Sequence, residues 1–332
     1  MNVGRVTDNA FKRSILRQIR TKRDEVVVGA DIGVDCAVFS FEDSVSFSCI
    51  CENSVKNDFT SVKNLLHRCA NILASRGGEA VSVSLSIVLP AEAGEETLKG
   101  IMAEAESACD LLKMQISQVQ SRFVSSGEGI FITAAAYGRL SRTYGQSARR
   151  NAFYTAKMAA AGQDIVVSKW IGLEGTAVIA KRGGDGILNR YPVWLIETAA
   201  GFDKYLSTIP DAAAAIKSGA CALYNISEGG IYAALWELAE GAGVGLTIDL
   251  KKIPIRQETV EICNFYNINP YEFLSGGSLL ITCADGPAMA DALQSEGISA
   301  AHIGRITDGN DRLIINDDEK RYLDRPHYDY AV

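Results

Sequence analysis

The chain has no CxxC pair among its eight cysteines, and only three histidines, His67, His302 and His327, far apart in sequence. The scattered cysteines read as buried free thiols of a reducing compartment, and so few histidines give no basis for a histidine-built metal site. No run of about 18 uncharged apolar residues exists, so no membrane span is expected. The first residues, MNVGRVTDNAFKRS, hold no apolar stretch of the secretory kind, which points to a cytoplasmic chain. Net charge is −7 with both signs spread along the sequence. A general nucleic-acid binder needs a basic surface against phosphates, so no nucleic-acid partner is expected. The one dense basic run, Lys12 to Lys22, places Ile15, Leu16 and Ile19 on one side of a helix and reads as a solvated helix face.

What is present is enough chain and apolar content for two ordinary domains: 332 residues, 47% of them hydrophobic. The first 140 residues alternate strands and helices. Residues 1–23 read as a helix, and strands are expected at 26–28, 37–41 and 44–51, where Cys49 and Cys51 share a face. A helix follows over 59–76, with Val62, Leu65, Leu66, Cys69, Ile72 and Leu73 on one side, ended by Gly77-Gly78. Strand 80–89, helix 95–113 and strands 114–119 and 129–136 complete this part. The polar segment 138–163 marks a boundary, giving domains 1–145 and 146–332. The second half restarts with a strand at 164–169 and a glycine loop, GLEG, at 172–175. Helices are expected at 176–181, 210–218, 231–240, 258–267 and 287–295, and strands at 246–250, 278–283 and 301–308.

The stretch GADIGVDCAVFSF, 29–41, is a glycine-flanked turn that carries Asp31 and Asp35 into a strand. Such a loop can offer backbone N–H groups and carboxylates to a phosphate and its metal, or can be a tight turn and nothing more.

The ordered set of segments resembles the AIR-synthase-related superfamily, and within it the HypE-type hydrogenase maturation factors. The carriers are VGADIGVDCAVF (28–39), DIVVSKWIGLEGTAVIA (164–180), YNISEGGIYAALWELAEGAGVGLTID (224–249), IPIRQETVEICNFYNINPYEFLSGGSLLI (253–281) and IGRIT (303–307). The resemblance implies an α+β, two-domain AIR-synthase-like fold. Its N-terminal sheet domain pairs in a dimer, and its C-terminal domain is an α/β sandwich. ATP would lie between the domains, near the dimer interface. Members use ATP and Mg²⁺ to activate an oxygen by phosphorylation; the HypE type dehydrates a thiocarboxamide on its own C-terminal cysteine.

Set against that pattern, the chain keeps few of the charged groups. Asp35 keeps the first-loop aspartate and is the one metal candidate; Asp31 stands for a glycine beside Gly33, and Val34 for an acid. In CENSV, Asn53 replaces an aspartate. In the helix 59–76, Asn71 remains while Ile72 replaces an aspartate. The phosphate loop after the second helix becomes Gln118 to Arg122, with Ser121 as its only hydroxyl. The second-domain loop YNISEGG has Asn225 and Ser227 in place of aspartate and threonine, and keeps Gly229 and Gly230 ahead of a helix N-terminus. Ser275-Gly276-Gly277 lacks the acid of the HypE pattern, and the chain ends RPHYDYAV without a cysteine.

Mg²⁺ is held by carboxylates together with substrate phosphates, so this set predicts weak affinity for Mg·ATP. Two readings follow. One is a paralogue with an eroded site that binds a small molecule or a protein: a homodimer, or a heterodimer with an intact paralogue or with hydrogenase maturation proteins. The other is an active ATP-dependent enzyme with rearranged ligands, drawing charge from Asp31, Asp35, Glu52 and Glu228, with Lys169 on the phosphates. Glu174 is a further candidate there, or a helix-capping residue. The sequence assigns no catalytic residue.

Overall fold

The computed structural model describes residues 7–41, 44–55, 60–125, 129–141, 153–183 and 186–326. The expected boundary at 145/146, the start of the helix at Phe59 and the last six residues lie outside that set. The chain divides into two compact units, Arg23–Gly29 with Asp35–Phe153, and Met1–Lys22 with Ala30–Val34 and Tyr154–Val332. The N-terminal segment therefore groups with the C-terminal unit, unlike the expected 1–145 domain. Side-chain pairs tie it there: Lys12 reaches Glu240 at 3.1 Å and Asp8 meets Arg325 at 2.7 Å.

The segment expected to form one helix over 1–23 is instead α1 (Asp8–Ser14) followed by a single 3-10 turn, Leu16–Gln18. Its intended apolar side is not buried: Ile15 and Ile19 are both exposed. A helix this short has no stability without a packed face.

In the N-terminal unit, β1 (Val26–Val28), β2 (Ala37–Phe41), β3 (Ser44–Val55), β4 (Gly78–Pro90), β5 (Gln115–Val124) and β6 (Ile130–Leu140) form a sheet in the order β1-β2-β3-β6-β4-β5. All pairs are antiparallel except β4 with β5. Helices α2 (Thr60–Ser75) and α3 (Gly94–Leu112) cover one face. The six-residue apolar stripe predicted on α2 is buried in full, each residue at 6% exposure or less. Val83, Leu85, Ile87 and Leu89 alternate inward from β4 to meet it. Each such side chain contributes about 1.5–3 kcal/mol on leaving water. The opposite sheet face keeps Ile50, Phe131 and Tyr137 exposed.

In the C-terminal unit, β7 (Asp164–Ser168), β8 (Ala222–Asn225), β9 (Gly245–Asp249), β10 (Leu279–Cys283), β11 (Ala300–Thr307), β12 (Arg312–Asn316) and β13 (Glu319–Tyr322) run in the order β13-β12-β9-β11-β7-β10-β8. β9 and β12 are parallel; the other neighbours are antiparallel. The helices are α4 (Leu173–Arg182), α5 (Ile187–Arg190), α6 (Val193–Ala200), α7 (Ile209–Lys217), α8 (Gly230–Ala242), α9 (Gln257–Tyr266) and α10 (Gly286–Ser295). β7, β8 and β10 are buried at every position, the pattern of strands covered on both faces. α8 packs its Ile231, Leu235 and Leu238 on Ile165, Val167, Leu246 and Ile248 of the sheet. The sequence reading lacked α5, α6, β12 and β13. Among the described residues, no helix is long and apolar enough to cross a membrane.

Asp164, at the start of β7, joins two elements of this unit. Its carboxylate accepts from the Gly286 N–H at 2.9 Å, at the first turn of α10, and from Arg305 Nε at 2.8 Å on β11. Burial works to raise its pKa, but these donors and the nearby His302 outweigh it and hold the carboxyl below its ordinary 3.8. A carboxyl with a lowered folded-state pKa gives stability that is complete above its unfolded value and is lost as pH falls through the folded one. Asp164→Ala is expected to cost about 2 kcal/mol at pH 7, with the deficit shrinking below about pH 4. Urea denaturation of both chains across pH checks this.

Candidate functional site: a convergence of loops in the C-terminal unit

Three glycine-bearing segments singled out in the sequence meet at one end of the C-terminal sheet. β7 and β8 end there and β10, antiparallel to both, begins there. The Gly172 N–H donates to Ser275 Oγ at 2.7 Å, and that hydroxyl donates to the Phe273 carbonyl at 2.7 Å. Gly175 N donates to the Leu274 carbonyl at 2.9 Å, and Ser275 N to the Ser227 carbonyl at 3.1 Å. GLEG, YNISEGG and SGG are thus one hydrogen-bonded cluster. The GLEG stretch is not a free loop: Gly172 caps α4, and Leu173 to Gly175 are its first turn.

Two close approaches make the cluster specific to glycine. A Cβ at Gly276 would collide with the Glu174 carboxylate. Gly230 sits at φ +63, and a Cβ there would lie 2.8 Å from the Phe273 carbonyl and strike that of Tyr271 as well. At Gly230 a substitution would strike backbone and need a left-handed conformation that only glycine adopts at low cost, whereas at Gly276 the Glu174 carboxylate would have to move aside.

The helices α4 and α8 both start in this cluster, α4 capped by Gly172 and α8 by Gly229, each in a left-handed conformation. The first-turn N–H groups of Gly175, Gly230 and Tyr232 already donate to the carbonyls of Leu274, Ser227 and Tyr271, so it is the positive ends of the two helix dipoles that favour an anion here. Asn225 is 5% exposed and its Oδ1 makes no hydrogen bond; Ser227 Oγ is likewise buried and without a partner atom. Buried polar atoms without partners are rare enough in folded proteins to need an explanation, and a ligand is one. Glu174, 3% exposed in the first turn of α4, and the half-buried Glu228 are the acids of this cluster.

Lys169 does not serve as a phosphate ligand. It is 8% exposed with φ +57, and its Nζ donates to the carbonyls of Tyr205 (3.1 Å), Ser207 (2.8 Å) and Gly277 (2.7 Å) while pairing with Asp211 at 3.0 Å. An ammonium has three protons, so this environment uses all of them. Lys169 is a buried structural cation that fixes the Gly277 strand entry to the 205–211 segment.

The first-loop residues are also engaged. Asp31 faces Lys157 at 3.0 Å and accepts from the Ile32 N–H at 2.9 Å. Burial pushes its carboxyl up, but Lys157, this N–H and Lys12 prevail and hold it below the ordinary value. Gly33 lies against the α8 backbone at Glu237 and Gly241. Asp35 belongs to the N-terminal unit, where its carboxylate is ion-paired with Arg76, a guanidinium only 2% exposed at the end of α2. These counter-cations, Lys157 and Arg76, are charge partners that the sequence alone does not reveal.

The remaining candidates are not brought together. Asn53, half-buried on β3, pairs across the sheet with Ile132, Ile132 with Ile87, and Ile87 with Ser121. Asn53 and Ser121 therefore stand in one row three strand spacings apart, roughly 14 Å, too far for one ion to bridge. The expected loop Gln118 to Arg122 is continuous strand, because β5 pairs with β4 from Gln115 to Val124. Ser121 is exposed on that edge strand, and Asn71 is 2% exposed within α2.

Residues 160–316 match the AIR synthase related protein C-terminal domain. Residues 160–316 therefore form an AIR-synthase-related C-terminal domain. Carbamoyl dehydratase HypE of Rhodobacter capsulatus is 23% identical over 241 residues, 71% of this chain and 66% of that protein, just under two thirds of its length. Of solved structures, HypE in a HypE–HypF complex superposes with a TM-score of 0.65 at 19% identity, covering 87% of this chain and 93% of that one. ThiL, the thiamine monophosphate kinase of Aquifex aeolicus, in its complex with AMPPCP and TMP, gives 0.69 at 17% identity, with 91% and 92% covered. These structures share the two-domain AIR-synthase fold with this chain, and the sequence relationship is to HypE-type hydrogenase maturation proteins.

Proposed function

We propose that this AIR-synthase-related protein is a binding paralogue. It takes a small phosphate-bearing ligand at the α4/α8 loop cluster and lacks the carboxylate set that would hold Mg²⁺ beside it. The observation that carries the reading is the pairing of Asp35 with buried Arg76: the one aspartate matching the family's metal site already has a counter-cation. The orphaned Ser227 Oγ, a hydroxyl that can donate, supports the anion beside two helix N-termini, while the orphaned Asn225 Oδ1 accepts only and suits a donor group on the same ligand. A role in hydrogenase-type metallocofactor maturation is the setting that the HypE relatives suggest. The exposed Ile50, Phe131 and Tyr137 of the N-terminal sheet offer an apolar face for a second chain, either another copy or an intact paralogue.

Calorimetry with ATP, in EDTA and then in MgCl₂, tests this. The expected result is binding that Mg²⁺ does not strengthen; Mg²⁺ tightening it by more than about tenfold, roughly 1.4 kcal/mol, overturns it.

A second reading has its own observation. Glu174 and Glu228 bring two acids to the same loop cluster, and Glu174 is nearly fully buried there. On that reading the chain is an ATP-dependent enzyme that activates a carbonyl or amide oxygen with ligands rearranged onto the C-terminal unit. It requires ATP turnover that Glu174→Gln lowers by about a hundredfold or more. Phosphate release at the level of a no-enzyme control removes this reading.

A further inference from the structure

Three of the eight cysteines converge in the N-terminal unit. Cys49 and Cys51 point to the same face of β3, and Cys69 comes down onto them from α2. The three sulfurs all lie within 4.8 Å of one another, and the residues are 3%, 7% and 0% exposed. Cys49 Sγ is 3.6 Å from the Cys69 carbonyl, which fixes strand against helix. Across the sheet, Cys49 faces Ala136 and Cys51 faces Ala134, small side chains of β6. Among the described residues, no carboxylate, imidazole or fourth thiol joins the group.

We propose that Cys49, Cys51 and Cys69 form a binding site for one soft monovalent cation of the Cu⁺ class. A core position needs only a small apolar volume, which alanine already supplies on β6. Three mutually touching thiols supply something else, a dry set of polarisable ligands on two rigid elements. An ion about 2.3 Å from each of three sulfurs in a plane sets them about 4 Å apart, inside the observed span. Zn²⁺ asks for four ligands, and this site offers three.

As Cu⁺ enters, two of the thiols lose their protons to solvent while their S–Cu bonds form, and the third binds as a neutral thiol. No electron moves. One cation and two thiolates carry a single negative charge.

The test uses the full chain, purified anaerobically and fully reduced, loaded with Cu⁺ and challenged with a bathocuproine-type chelator. The wild type is expected to keep one equivalent at a chelator excess where the Cys49→Ala, Cys51→Ala, Cys69→Ala variant keeps at least about tenfold less. Equal loss from both, with circular dichroism showing both folded, overturns the site. If the triple variant fails to fold, X-ray absorption of the copper-loaded wild type decides. Three sulfur neighbours support the proposal; nitrogen or oxygen neighbours, or fewer than three sulfurs, overturn it.

Discussion

Asp35→Ala is expected to lower stability by about 3 kcal/mol or more, an effect unrelated to metal binding. Arg76 is 2% exposed and its guanidinium is ion-paired with Asp35, whose own side chain is 20% exposed. Taking a guanidinium out of water costs several kcal/mol, and its carboxylate offsets much of that cost. Alanine at 35 removes the offset and leaves the charge in place. Arg76→Met removes the charge and keeps an unbranched chain of similar length, so it should cost less than Asp35→Ala. The double variant should then be more stable than Asp35→Ala alone. The coupling energy from a urea-denaturation cycle measures the pair; a cycle that closes near zero shows that Arg76 draws its compensation elsewhere. The same geometry bears on function: a Mg²⁺ ion at Asp35 would have to displace a buried cation. Loss of ligand binding in Asp35→Ala therefore reads as unfolding unless the fold is checked first.

This pairing shows which information the sequence carries. The stripe from Val62 to Leu73 was legible because helical periodicity is local, and every residue of it is buried. The alternation of β4 and the glycine stops were legible for the same reason. Family-motif matching found the three loops of the C-terminal unit, and backbone hydrogen bonds join them. Partners of single charges were not legible. Arg76 lies 41 residues from Asp35, and Lys157 lies 126 from Asp31. Lys169 illustrates the same limit: beside a GLEG segment it resembles a phosphate ligand, and only the positions of Tyr205, Ser207, Asp211 and Gly277 make it structural. The family pattern makes Gln118 to Arg122 a loop, whereas pairing with β4, a tertiary matter, makes it strand. Ile15 and Ile19 err in the opposite direction. Their spacing is helical, but no surface covers them, so the helix stops at Ser14.

Asp211→Asn is expected to produce the other large loss, about 3–5 kcal/mol near neutral pH, with a pH dependence that identifies its cause. Asp211 and Lys169 are both buried, at 1% and 10% side-chain exposure, and pair at 3.0 Å. Burial pulls the Lys169 pKa below its ordinary 10.5, and Asp211 opposes that pull without cancelling it. A lysine with a lowered folded-state pKa holds fewer protons folded than unfolded between the two values. Stability therefore rises with pH across that window and falls as pH drops through it. Removing the Asp211 charge takes away the opposing influence, so the folded-state pKa drops further and the window extends toward neutrality. The deficit of Asp211→Asn should then be greatest near pH 7 and shrink toward pH 10, where a neutral lysine no longer needs its partner. Lys169→Met with Asp211→Asn has no group to titrate in this window, so its own stability should stay flat there while that of Asp211→Asn rises with pH. Urea midpoints of the wild type, the single and the double variant from pH 7 to 10 separate the cases. A deficit in Asp211→Asn that does not vary with pH would place the cost in lost packing instead of in the stranded charge.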